Sequence, residues 1–122
     1  MGKKILVVDD SKTMRDMVSF TLKSAGHEVA EAVDGEQAMA LIGRTSRIDL
    51  VITDLNMPKM DGIGLIKAIR SHPSYRATPI LILTTEGDAT KKQEGKAAGG
   101  TGWIVKPFVP EKLLDAVSRV CP

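Results

Sequence analysis

The sequence predicts a doubly wound α/β fold, in which helices cover both faces of a parallel sheet. Three observations carry this. Strand-like and helix-like segments alternate five times along 122 residues, which builds a layered structure with right-handed crossovers. The runs at 4–8, 50–53 and 80–83 are continuously apolar, as parallel strands buried on both faces are. Four runs end on a carboxylate, a hydroxyl or an ammonium, at the strand ends where open α/β sheets place their ligands.

In chain order, residues 4–8 run into Asp9 and Asp10. Met14, Met17, Val18, Leu22 and Ala25 recur at helical spacing, with Gly26 as the stop. Residues 27–33 mix valines with Glu28 and Glu31, a composition that suits a sheet edge. Ala38, Met39, Leu41 and Ile42 predict a second helix, started by Asp34 and stopped near Gly43. The run 50–53 leads into Asp54, and Ile63, Leu65, Ile66 and Ile69 predict a third helix ending before His72-Pro73. The run 80–83 leads into Thr84 and Thr85. A fourth helix near 89–98 has only alanine as apolar content and Gly95 inside it, which predicts weak anchorage. Residues 102–105 form a short edge strand leading into Lys106-Pro107. Leu113, Ala116, Val117 and Val120 then predict a last helix entered through Pro110.

The totals exclude several classes. A length of 122 residues suits one domain spanning 1–122. A net charge of +2 is too mild to imply nucleic acid. Cys121 is the only cysteine, so there is no intrachain disulfide. Four apolar residues after Met1-Gly-Lys-Lys make neither a signal-peptide core nor a membrane span, so a cytoplasmic location is expected. His27 and His72 share no ligand spacing with the acids, against a zinc site.

The parallel sheet would bring Asp9, Asp10, Asp54, Thr84 and Lys106 into one crevice. Like charges about 4 Å apart cost roughly 4 kcal/mol at a near-surface effective dielectric, so the acids need a proton or a cation. Oxygen ligands next to water suit Mg²⁺. A carboxylate beside such an ion can attack a phosphoryl donor and become an aspartyl phosphate. The moving phosphoryl group needs cations and hydrogen-bond donors, and Lys106 and Thr84 supply one of each. Singly, these residues read as helix caps, surface charges and turn ends. Together, at the ends of four of the five strand-like segments, they read as a site.

In Asp9-Asp10, Asp54-Leu-Asn-Met-Pro-Lys-Met-Asp-Gly62, Thr84 and Lys106-Pro107-Phe108, the chain resembles the response-regulator receiver domains, and among them the single-domain chemotaxis type. The likeness covers essentially the whole chain. It implies a flavodoxin-like (βα)5 fold with strand order 2-1-3-4-5. It implies Asp54 as phosphoacceptor, and Mg²⁺ held by Asp10, Asp54 and the backbone carbonyl of Asn56, with Asp9 assisting through water. It further implies that Lys106 pairs with the phosphoryl group, with a cis Lys106–Pro107 bond. Thr84 and Trp103 would form the switch, Thr84 moving toward the phosphoryl oxygen and the aromatic filling the vacated space.

The expected function is a phosphorylation-controlled binding module, catalysing only its own phosphorylation and dephosphorylation. The implied partners are a histidine kinase as donor, a target protein such as the flagellar motor switch, and a phosphatase. The chain is expected to be a monomer that binds neither nucleic acid nor membrane. Lys91, Lys92, Lys96 and Lys112 would make the output face basic and suited to an acidic partner. Two alternatives keep similar chemistry: a phosphorelay intermediate or phosphate sink, and a phosphatase of the haloacid dehalogenase type. The phosphatase places its nucleophile after the first strand and usually carries a cap domain, for which the chain lacks room. Flavin binding on the same fold conflicts with Asp9 and Asp10, which would repel the cofactor phosphate.

Overall fold

A computed structural model describes residues 2–45, 47–55, 60–85, 89–106 and 108–121. The elements are β1 (Lys4–Val8), α1 (Lys12–Ser24), β2 (Glu28–Ala32), α2 (Gly35–Arg44), β3 (Leu50–Asp54), α3 (Gly62–Ser71), β4 (Ile80–Thr85), α4 (Ala89–Ala98), β5 (Gly102–Lys106) and α5 (Pro110–Val120). All strand pairs are parallel, in the order β2-β1-β3-β4-β5. The expected fold class and order are both present, and the two mixed or short runs are the edges.

Alternation along each strand divides the core in two. Leu6, Val8, Val51, Ile80 and Ile82 face α2 and α3, meeting Ala38, Ile42, Leu65 and Ile69. Ile5, Val7, Leu50, Ile52 and Leu83 face α1 and α5, meeting Val18, Leu22, Leu113 and Val117. Both faces of the central strands are therefore dry, which explains their unbroken apolar sequence.

Local chemistry sets the helix ends. Ser11, rather than Asp10, caps α1, its hydroxyl accepting from the Met14 amide at 3.3 Å. Asp10 is thereby left to the crevice. Gly26, at φ 93°, ends α1, with its amide on the Lys23 carbonyl and the His27 amide on that of Leu22. Asp34 accepts from Gln37 N–H at 2.8 Å, while Gln37 Oε1 accepts from Val33 N–H at 2.7 Å, a reciprocal cap. Helix α2 runs one residue past Gly43, to Arg44. Strands β3, β4 and β5 continue into Asp54, Thr85 and Lys106. The ladder thus carries Asp54, Thr84 and Lys106 on the sheet itself, whereas Asp9 and Asp10 lie just past the end of β1.

The interior glycine of α4 has a packing reason that composition concealed. A Cβ at Gly95 would lie 2.6 Å from Ile82 Cδ1, and one at Gly100 equally close, so α4 approaches β4 only because both positions are bare. Its C-terminal end is held by Arg70 of α3. That guanidinium donates to the Gly99 carbonyl at 2.8 and 3.0 Å and to the Thr78 carbonyl at 2.7 Å.

One buried polar group lacks compensation. Ser19 on α1 is 3% exposed, and its hydroxyl meets no partner among the described residues. Ser19→Ala is therefore expected to stabilise the fold by about 1 kcal/mol, read as a higher urea midpoint at unchanged m-value.

Candidate functional site

The crevice forms where β1, β3 and β5 end. Asp9 and Asp10 follow β1, Asp54 closes β3 and Lys106 closes β5. One carboxylate oxygen each of Asp9, Asp10 and Asp54 lie within 4.8 Å of one another. The Lys106 ammonium stands 3.3 Å from Asp9 Oδ2 and 3.3 Å from Asp54 Oδ2, bridging the first and third acids.

The three carboxylates differ in setting. Asp9 is fully buried, with Oδ1 accepting from the Ser11 amide at 2.9 Å. Burial pushes its carboxyl above the usual range. The Ser11 amide and the Lys106 charge pull the other way, and the Asp54 charge adds to the rise. Asp10 is exposed to solvent. Asp54 is 8% exposed and is oriented by the Leu55 amide, which donates to Oδ1 at 2.7 Å. Its other oxygen faces the lysine.

This donor set fits a hard divalent cation. All three groups offer oxygen, and the one ammonium leaves negative charge in excess. Mg²⁺ bound there would neutralise charge on a transferring phosphoryl group. Asn56 and Pro107 lie outside the described residues, so the carbonyl ligand and the Lys106–Pro107 bond do too.

Thr84 is buried, at 2% exposure. It stands on β4 one residue beyond Leu83, the register partner of Asp54. Trp103 is on β5 opposite Ile82, 42% exposed. It borders a groove of about 640 Å³ whose walls include Val105, Phe108 and Lys112.

Two residues have roles at the site that only spatial contacts reveal. Arg15 of α1 donates to the Asp9 carbonyl at 2.8 Å and lies 3.4 Å from Glu31 of β2, bracing the acid turn. Only the adjacency of β1 and β2 brings these residues together, and no linear spacing encodes it. Gly62 is another. A Cβ there would fall 2.3 Å from the Asp54 carbonyl oxygen and 2.7 Å from Leu55 Cα. Its amide also donates to the Leu55 carbonyl at 3.0 Å. The bare α-carbon lets α3 start tight against the end of β3, with Asp61 capping it through the Gly64 amide at 2.8 Å. Gly62→Ala is expected to lower stability by about 1–3 kcal/mol through overpacking against backbone, measured by denaturant melts.

Comparison with known proteins agrees with this geometry. The chemotaxis protein CheY4 of Vibrio cholerae is 52% identical, superposes with a TM-score of 0.92, and covers 98% of this chain and 99% of its own. A chemotaxis protein CheY homolog of Campylobacter jejuni is 41% identical over 96% of this chain and 91% of its own length. Chemotaxis protein CheY1 of Helicobacter pylori is 40% identical over 96% and 95%. The family model described as the response regulator receiver domain matches residues 5–118. The acid trio, its bridging lysine and the 2-1-3-4-5 sheet thus have a common origin: the chain belongs to the response regulator receiver domains, the phosphorylation-activated switches of two-component signalling.

Proposed function

We infer that Asp54 accepts a phosphoryl group from a histidine kinase and that the modified protein signals in chemotaxis by binding a component of the flagellar motor. The observation that carries the phosphoryl transfer is the Lys106 ammonium, 3.3 Å from both Asp9 and Asp54 with Asp10 in the same cluster, and the likeness to chemotaxis proteins supports the signalling role. A nucleophile, an acid set for a divalent ion and a fixed positive charge meet there.

In this reading Asp54 Oδ2 attacks phosphorus, the bond from phosphorus to the donor breaks, and the donor leaves with the electron pair. Lys106 meets the charge on the phosphoryl oxygens. Asp10 and Asp54 would hold Mg²⁺, and the resemblance adds the backbone carbonyl of Asn56, which lies outside the described residues. Asp9, fully buried and held by Ser11 and Lys106, would assist through water. The chain, acting as one domain in the cytoplasm, catalyses only this transfer and the attack of water on the acyl phosphate, which frees the Asp54 carboxylate and releases inorganic phosphate. No helix among the described residues is long and apolar enough to cross a membrane.

Phosphorylation then draws Thr84 toward the new oxygen and Trp103 inward, reshaping the surface of α4, β5 and α5. That surface carries Lys92, Lys96 and Lys112 around the Trp103 grooves, which suits an acidic segment of the motor switch. A haloacid dehalogenase-type phosphatase is disfavoured because the receiver-domain family model spans residues 5–118 of these 122 residues, which leaves no room among them for a cap domain.

The test is incubation with acetyl phosphate and Mg²⁺, followed by intact mass and Trp103 emission. Gain of one phosphoryl group, with changed emission and tighter binding to an acidic motor-switch peptide, is expected. Unchanged mass would overturn the reading. Unchanged peptide affinity in the phosphorylated protein would overturn the motor partner alone.

A further inference from the structure

Trp103 has a neighbour that the switching scheme above does not include. Lys92 of α4 places its ammonium 5.6 Å from the centroid of the indole ring. The two residues together border both adjoining grooves, of about 640 and 340 Å³. The ring is 42% exposed on an edge strand, so the contact is made on the outer side of the sheet.

The position of that charge is informative. The first turn of α4 carries no acid, yet Lys91 and Lys92 stand in it. A helix dipole disfavours positive charge at this end. The negative face of an indole offsets that disadvantage, and Trp is the aromatic that does so best. The far end of α4 is fixed by Arg70 on Gly99, and its middle rests on bare glycine against Ile82. Lys92 thus joins the first turn of the helix to the aromatic.

We propose that Lys92 is a positioning residue for the switch: it holds Trp103 in its outward rotamer in the unphosphorylated protein and so sets the threshold for activation. The proposal rests on the reading of Trp103 as the switch aromatic. Turning the ring inward breaks the contact, so the cation stabilises only the resting state. A ligand or modification that selects the minor state acts in proportion to that state's population. Raising that population therefore eases phosphorylation by the same factor.

The experiment compares wild type, Lys92→Met and Lys92→Arg in titrations with acetyl phosphate and Mg²⁺, read by intact mass and by Trp103 emission. Methionine keeps the stem and removes the charge, whereas arginine keeps a cation over the ring. The methionine variant is expected to reach half its emission change at about two- to five-fold lower acetyl phosphate, the factor an exposed contact of this kind represents. The arginine variant is expected to match wild type. Losing a positive charge from the groove that Lys92 shares with Lys106 would by itself weaken attraction of the anionic donor and move the midpoint upward, so a fall separates the latch from simple electrostatics. An unmoved or raised midpoint in the methionine variant overturns the proposal. So does an arginine variant that follows methionine, or a wild type that gains mass without a change in emission. A wild type that gains no mass defeats the phosphoacceptor reading itself, which the mass readout identifies separately.

Discussion

Asp54→Asn is expected to take up less than about one-hundredth of the phosphoryl group that wild type accepts from acetyl phosphate and Mg²⁺, measured by intact mass. The substitution separates chemistry from structure. Asparagine retains an Oδ1 that accepts from the Leu55 amide, which lies 2.7 Å from the aspartate oxygen, so β3 and the start of α3 keep their geometry. The oxygen facing Lys106 at 3.3 Å is replaced by an amide nitrogen, which is neither anionic nor nucleophilic. The two remaining acids are poor substitutes. Asp9 is fully buried whereas Asp54 keeps some exposure, and Asp10 lies open to solvent without the lysine at its side. Unchanged far-ultraviolet dichroism with no mass gain would fix the nucleophile. A mass gain equal to wild type would move it to another residue.

Much of this architecture is legible in the residues because the physics is local or periodic. Buried strands must be apolar on both sides, so β1, β3 and β4 announce themselves. Gly26 and Asp61 mark helix ends through backbone chemistry that any reader of sequence can apply. The acids and lysine of the site are legible because parallel topology collects strand ends. What stays hidden depends on which elements become neighbours. Arg15 braces Asp9 only because β2 lies beside β1, bringing Glu31 within 3.4 Å. Gly95 reads as a weak point of a helix, yet Ile82 makes it a requirement of close packing. Lys92 reads as one of several surface charges until Trp103 is found beneath it. The strands also extend into Asp54 and Lys106, beyond the apolar runs, because ladder pairing continues past the last hydrophobic residue.

Lys106→Met is expected to destabilise the protein by about 3 kcal/mol at pH 7.5, because it leaves a buried carboxylate without its partner. The Asp9 carboxylate is wholly inaccessible and that of Asp54 nearly so, while the ammonium serving both is itself mostly covered. The loss should depend on pH, with a definite sign. Burial already raises the Asp9 carboxyl above its ordinary value of 3.8, and Lys106 is one of the groups that restrain the rise. Without the lysine the folded-state value climbs further. A carboxyl raised by folding binds its proton more tightly in the native state than in the unfolded chain. Its contribution to stability is complete below the unfolded value and is lost as pH rises through the folded one. The deficit of the variant relative to wild type should therefore be small near pH 4 and grow toward neutrality. Urea melts of both proteins at pH 4 and 7.5 measure it. Mg²⁺ should narrow the deficit at the higher pH, since a divalent ion compensates the same acids. A deficit equal at both pH values, and indifferent to Mg²⁺, would mean that Lys106 contributes through the packing of its stem and not through the charge on which the chemistry depends.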